Sequence, residues 1–386
     1  LVLGALVYRT LWCAGAPSAF LQSTLLGLVE PIKTGLSSLG APLWLQGLLA
    51  DGVYRTTAWV VAVMLPPMAI FFPLFTLLED AGYLPRVAFN LDGLMCRCGG
   101  HGRQSLTMCM GFGCNACGVT GCRIIDSPRE RLTAQLTNSL VPCNGRFPTL
   151  AALISLFFLG NTVGTGRRLL AAGLFLAVIL FAVGMTLLCS KLLSVTLLRG
   201  QVSSFSLELP PYRMPQIGRV LVRSLLDRTV FVLGRAVTVA MPAGAVLWGL
   251  AHLRAGGQPL LTVLAGLLQP LGGVMGLDGM VLLAFLLAFP ANEIMLPILA
   301  MGYLSTSTMV EVETDRLGQI LTAHGWSWQT AVCAAALCLL HLPCGTTCLT
   351  LLRETGSRKW TLVGMLLPLG MGILVCCLLN ALFFFL

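Results

Sequence analysis

Apolar runs recur along this chain at the length a lipid bilayer demands, and no other feature constrains the fold so tightly. A helix needs roughly 20 apolar residues to cross about 30 Å of hydrocarbon. Runs near that length fall at 53–78, 132–159, 168–190, 229–252, 280–304, 327–352 and 360–386, and a shorter one at 1–12 reads as the end of a first helix. A ninth stretch, 258–276, is rich in Gly and Pro and reads equally as a crossing, a re-entrant segment or an interfacial helix. Residues 21–49, with Glu30, Pro31 and Lys33, read as an amphipathic helix lying at the membrane surface. Charged residues make up only 10% of the chain, against about 25% in a soluble domain, which excludes a large soluble core. The expected fold class is all-α: a polytopic membrane bundle in contact with lipid.

Loop charge orients the spans. Of the net charge of +9, arginines supply most. Residues 79–131 carry Arg86, Arg97, Arg103, Arg123, Arg129 and Arg131, and residues 191–228 carry Lys191, Arg199, Arg213, Arg219, Arg223 and Arg228. Both loops read as cytoplasmic, facing anionic lipid rather than nucleic acid. The N-terminus then lies inside, and the segment 353–359 (Arg353, Arg358, Lys359) also calls for the inside. Counting 258–276 as a crossing reconciles that with the acidic loop 305–325. No signal peptide is visible, and the opening apolar run reads as a helix whose start precedes Leu1. The 15 cysteines lie in or beside apolar segments and read as free thiols.

The chemistry is carried by the interruptions. LVPCNGR, 140–146, places Pro142, Asn144, Gly145 and Arg146 inside an apolar span, and LPCGT, 342–346, does much the same two hundred residues on. In each, a proline precedes a cysteine and Thr-Leu follows. Paired broken helices in two halves of a transporter point to a binding site near the midplane, because unwound backbone survives in a membrane only where it lines a cavity or packs against protein. A third break, AFPANEIMLP at 288–297, holds Glu293, and an intramembrane carboxylate marks an ion path. The fourth, TMCMGFGCNACGVTGC at 107–122, reads as a glycine-rich re-entrant loop bearing Cys114, Asn115 and Cys117. The candidate metal ligands are Cys114, Asn115, Cys143, Glu293 and Cys344. A second rank holds Cys117, Asn144, His341 (within one turn of Cys344) and the helix-end pair Glu79 and Asp80. Mixed soft and hard ligands suit a borderline divalent ion, Fe²⁺ or Mn²⁺, bound weakly enough to leave. A nucleoside permease would need aromatic stacking in these segments. An iron–sulfur redox protein would need four cysteines at cluster spacing.

These stretches carry a resemblance. LLEDAGYLPRVAFNLDGLM (77–95), GFGCNACGVTGCR (111–123), SPRERL (127–132), VPCNGRFPTL (141–150), ELPPYRMP (208–215), FPANE (289–293) and LPCGTTCLTLLRETGSRKW (342–360) together resemble the membrane domain of FeoB, the prokaryotic ferrous iron transporter family. The resemblance covers nearly the whole chain. It implies Fe²⁺ uptake across the bacterial cytoplasmic membrane through two gate-type repeats, and it matches Cys114, Cys143 and Cys344 to the family's gate cysteines and Glu293 to its acidic residue. The implied division is 1–52 (partial first helix and interfacial helix), 53–200 (first gate-type half), 201–228 (cytoplasmic linker) and 229–386 (second half). Where many members read Val-Pro after GFGCN, this chain has Ala116-Cys117, and Asn292 stands where many have Lys. The implied partners are a GTPase domain in cis or in trans, small cytoplasmic accessory proteins and a second copy of the chain. GTP and Mg²⁺ would enter only through that GTPase domain, because no G-x-x-x-x-G-K-S/T phosphate loop occurs in this sequence. The chain itself reads as a permease domain rather than an enzyme.

Overall fold

The computed structural model describes residues 2–159, 165–199, 229–306 and 314–385, with the isolated positions 218, 222, 226, 308, 309 and 312; most of the proposed linker 201–228 lies outside them. The architecture is helical. Among the described residues the only sheet is a two-stranded ribbon, β1 (Arg254–Ala255) with β2 (Gln258–Pro259).

Helix α1 (Val2–Gly27) packs along α3 (Leu43–Asp80), and the short α2 (Val29–Ser38) joins them. Tyr54 Oη donates to Leu25 O at 2.9 Å, so the C-terminal end of α1 meets the N-terminal end of α3. α1 runs fifteen residues past the span expected from the sequence. α3 likewise starts ten residues earlier than expected, because a π-helical stretch, Gly47–Tyr54, continues it backwards. The small residues explain that stretch. Gly47 and Gly52 let α10 (Phe231–His252) lie against the backbone, with Trp248 filling the notch, the close helix approach that glycine permits in membranes.

After α3 the chain makes a surface helix, α4 (Tyr83–Arg97), then a hairpin, α5 (Arg103–Gly113) and α6 (Asn115–Gly121). Arg103 Nη1 donates to Ile124 O (2.6 Å) and pairs with Asp126 (2.8 Å), so the start of α5 and the end of α6 lie at one face. This hairpin re-enters and leaves on the arginine-rich side. A broken crossing follows, α7 (Pro128–Thr137) and α8 (Phe147–Phe157), then α9 (Thr165–Val195) returns. Ser127 caps α7, accepting the Glu130 N–H at 3.5 Å, and Pro128 stands at its first position.

The second half repeats this order upside down. After α10 comes a surface helix, α11 (Leu260–Val274), then a hairpin, α12 (Gly279–Leu287) and α13 (Met295–Tyr303). Tyr303 Oη bonds Asp278 at the other end of that hairpin, so both ends share one face, opposite the arginines. A short helix, α14 (Thr314–Ala323), precedes the broken crossing, α15 (Trp328–Leu340) and α16 (Gly345–Thr355), and α17 (Arg358–Phe385) completes the half. Two halves with three crossings each, entered from opposite faces, are the inverted repeat of many transporters.

This arrangement corrects one expectation and decides between the alternatives left open for 258–276. The run 280–304 does not cross; it doubles back at Ala288–Ala291. The run 258–276 does not cross either: α11 bends 110° into α12, and Asn380 near the end of α17 donates to Gly273 O and Val274 O (3.3 and 3.1 Å), fixing α11 along the face where α17 ends. A hairpin of two half-length arms and one spanning helix have the same apolar length, so composition cannot separate them. The charge conflict disappears all the same, because two non-crossings give the same parity as two crossings. Five helices among the described residues are long and apolar enough to span alone, or six if the bent pair is counted as one. α1 and the broken α7–α8 are the further crossings that the contacts define, giving seven.

Candidate functional site

Four chain breaks meet at the centre. At the tip of the first hairpin Cys114 is extended (φ −153°, ψ 124°), and at the tip of the second Ala291 takes nearly the same conformation (φ −153°, ψ 121°). Each is followed by asparagine, Asn115 and Asn292. In the crossings, α7 runs through a 3-10 turn (Asn138–Leu140) and stops at Leu140, α15 stops at Leu340, and the chain resumes its helices at Phe147 and Gly345. Pro142 and Pro343 lie in these gaps, where they cannot continue a helix.

The freed backbone groups bond across the breaks. Asn144 N–H donates to Gly113 O (3.4 Å) and Gly345 N–H to Phe289 O (2.7 Å), tying each crossing to the hairpin of its own half. Asn138 Nδ2 holds the first tip by donating to Asn115 O at 3.1 Å. With its amide turned so that nitrogen faces carbonyls, Asn115 donates to Gly111 O and Val141 O, both at 3.1 Å. Between halves, Asn292 Nδ2 approaches Cys143 Sγ at 3.8 Å.

The breaks enclose a cavity of about 20 Å³. It is lined by Cys114 and Asn115 from the first tip, Cys143, Asn144 and Gly145 from the first crossing, Asn292 and Glu293 from the second tip, Cys344 from the second crossing, and Gly113, Met64 and Met68. All five first-rank candidates are there, with Asn144. Glu293 is 7% exposed and its Oε2 has no hydrogen-bond partner. Buried carboxylate oxygens are rarely left so, and a cation would satisfy this one.

The remaining candidates fall elsewhere. Cys117 lies on α6 within hydrogen-bonding reach of Cys114, behind the cavity wall. His341 is buried in the second break, but both ring nitrogens are engaged, Nδ1 with Cys338 O (2.8 Å) and Nε2 with Asn292 Oδ1 (3.1 Å). It braces Asn292 instead of facing the cavity. Glu79 and Asp80 end α3 on the arginine-rich face and are not brought to the site. Among the described residues no three His, Cys, Asp or Glu side chains stand close enough to chelate one ion, so the three thiols and the carboxylate surround the cavity without closing a metal cage. All 15 cysteines are free.

Sequence reasoning missed Met64, Met68, Gly113, Gly145 and Asn292 as cavity wall. Pro66 and Pro67 inside α3 were the available signal for the methionines, since a double proline within a span marks backbone that neighbours must satisfy. The pseudo-equivalence of Asn292 with Asn115 emerges only from the matched hairpin tips.

With two inverted halves and a central cavity established, the comparisons decide the family. The sequence model of the Gate family, described as nucleoside recognition, matches residues 61–157 and 223–358, together more than half of the chain. The chain belongs to the Gate family. The model for the ferrous iron transport protein B C terminus matches residues 175–227. A protein of Staphylococcus aureus (strain MSSA476) named Fe(2+) transporter FeoB is 29% identical over 362 residues, 91% of this chain and 51% of its own length. A Synechocystis protein of the same name is 28% identical over 372 residues, 94% of this chain and 57% of that one. A Porphyromonas gingivalis protein, named as a fusion of Fe(2+) transport protein A with Fe(2+) transporter FeoB, is 27% identical over 381 residues, 86% of this chain and 44% of that one. This FeoB-like chain thus spans about half the length of the curated relatives it matches. No solved structure matches it.

Proposed function

We propose that this chain is the permease domain of a ferrous iron uptake system of the bacterial cytoplasmic membrane, and that the central cavity is its ion station. The observation that carries the reading is the unpartnered Glu293 Oε2 facing a void that three cysteines share. A carboxylate supplies the charge that makes a divalent ion tolerable at this depth, and the thiols and amide oxygens supply ligands of mixed softness. Because the ligand set is not closed, an ion would be held weakly enough to leave, which conduction requires.

The nucleoside description attached to the Gate model is the reading to weigh against this. Small-molecule sites occupy about 300–1,000 Å³, whereas this cavity is about 20 Å³, room for one ion or water. Its lining also lacks an aromatic ring. Both features favour an ion. Fe²⁺ and Mn²⁺ remain the two chemically matched cargoes, and the relatives' names favour iron.

GTP and Mg²⁺ fit no phosphate loop in this sequence, so no step here runs through them. A GTPase domain, in cis or in trans, and a small accessory protein of the kind fused in the Porphyromonas gingivalis relative are the proposed partners. The decisive experiment is a double-mutant cycle on Fe²⁺ uptake into proteoliposomes, with the GTPase supplied. Glu293→Gln should lower uptake at least about tenfold, and Cys143→Ala should cost less in that background than alone, since residues of one site are not additive. Strictly additive losses would separate the two residues and remove the shared ion site.

A further inference from the structure

Among the described residues, Arg146 is the largest side chain wholly removed from solvent, at 0% exposure. Its guanidinium donates from Nη1 to Ser139 O (3.0 Å) and Leu339 O (2.7 Å), and from Nη2 to His341 O (3.4 Å). These are carbonyls that the two crossing breaks release, one from the first half and two from the second. No carboxylate stands within ion-pair distance of it among the described residues, and its Nε has no partner. The Arg146 N–H also donates to Cys143 O at 2.9 Å, closing a tight turn. Glu293 is pressed against that same turn, since a Cβ on Gly145 would lie 2.6 Å from Glu293 Oε1. A fixed cation and a carboxylate with an orphaned oxygen therefore flank one four-residue turn without pairing directly.

We propose that Arg146 is the resident counter-charge of the cavity, setting its affinity for a divalent cation low enough for release while bracing the two halves. The inference rests on the ion-station reading. Glu293 alone would give the empty site a net charge of −1, and in a poorly screened interior that would hold a divalent ion tightly. Arg146, next in the chain to Gly145 of the cavity wall, offsets part of that charge. Guanidinium suits both tasks: it keeps its charge, and its planar fork reaches three carbonyls where an ammonium would act as a point charge. The three carbonyls engage both terminal nitrogens without neutralising the charge, so the field of the cation still reaches the turn.

The test separates charge from bracing. Mn²⁺ is titrated into the full chain in lipid nanodiscs, with bound ion read by electron paramagnetic resonance, and Fe²⁺ uptake is measured in parallel. Arg146→Gln, which removes the charge, should tighten Mn²⁺ binding by about tenfold or more while uptake falls. Arg146→Lys, which keeps the charge and loses the fork, should leave the Mn²⁺ Kd within about threefold of wild type, with uptake again reduced. A merely structural role would weaken binding and uptake together, and unchanged or weaker Mn²⁺ binding by Arg146→Gln overturns the proposal. Should that variant fail to fold, Glu293→Gln with and without Arg146→Gln replaces it: removing the second charge should recover Mn²⁺ affinity by about tenfold. No recovery, or failure of the double variant to fold, assigns Arg146 to the scaffold alone. Wild-type protein that binds no Mn²⁺ would overturn the cavity reading itself, and this inference with it.

Discussion

Gly145 has no side chain because a Cβ there would meet the Glu293 carboxylate, at 2.6 Å from Oε1 and 2.8 Å from the carboxyl carbon. Gly145→Ala should therefore displace the carboxylate and lower Fe²⁺ uptake by about tenfold, without the larger cost of a core cavity. Uptake assayed at matched membrane protein level checks this, and wild-type uptake would mean that Glu293 works from another position. The two cysteines of the first hairpin should also behave differently. Cys114→Ser, at the cavity, should insert normally and transport poorly, whereas Cys117→Ser should transport within about twofold of wild type, because Cys117 stands behind the wall; equal losses would place both thiols on the path. Cys114, Asn115, Cys143, Glu293 and Cys344, which line one cavity, stood out in the sequence because they sit at or beside polar or helix-breaking interruptions of apolar runs, which are costly and need a reason. Met64 and Met68 did not, since a methionine in an apolar segment reads as gap filler. His341 had the right neighbourhood for a ligand; only the geometry reveals that Cys338 O and Asn292 Oδ1 occupy both nitrogens.

At the scale of elements, the re-entrant hairpins are what the sequence half concealed. Glycines every few residues exposed the first, 107–122, whereas 280–304 has an apolar profile that a spanning helix shares. What holds its two ends on one face is the pairing of Asp278 with Tyr303, whose hydroxyl also accepts the Trp326 indole N–H at 2.9 Å. Such contacts join residues far apart in the chain and leave no local pattern. The topology is directly testable with a membrane-impermeant thiol reagent on intact cells. Cysteines introduced at Gln258 and His324 should both label from the face opposite the arginines, and one at Arg358 should stay protected until the membrane is opened. Labelling of Gln258→Cys and His324→Cys from opposite faces would restore a spanning 280–304 and dissolve the inverted repeat.

Across the whole molecule, the halves are joined at three levels. α3 and α10 touch through Gly52 and Gly244, whose added Cβ would collide with the Gly52 carbonyl oxygen. Gly244→Val should then cost about 1–3 kcal/mol by overpacking, seen as a lower thermal midpoint in detergent, while Gly249→Val, which meets nothing within 4 Å, should leave it nearly unchanged. At the centre Arg146 joins the breaks. On the arginine-rich face Arg123 forms a two-pronged bond with Glu354, both distances 2.7 Å. This pairing and its hydrogen bonds raise the pKa of the guanidinium further above its ordinary value. With its arginine exposed, the pair contributes about 1 kcal/mol, so it aligns the end of the first hairpin with α16 more than it stabilises either.

The arms on either side of the breaks are short: 11 and 7 residues in the first hairpin, 9 and 9 in the second, and 13 and 11 in the second crossing. At 1.5 Å per residue most reach about half the thickness of the hydrocarbon, so the cavity sits near the middle of the electric field that a living membrane maintains. A divalent ion moving there from one face crosses roughly half the voltage with two charges, the equivalent of one elementary charge, or about 2.3 kcal/mol for each 100 mV. Loading from the positive side would then sharpen roughly fiftyfold per 100 mV, so the resting potential alone would help to fill the cavity.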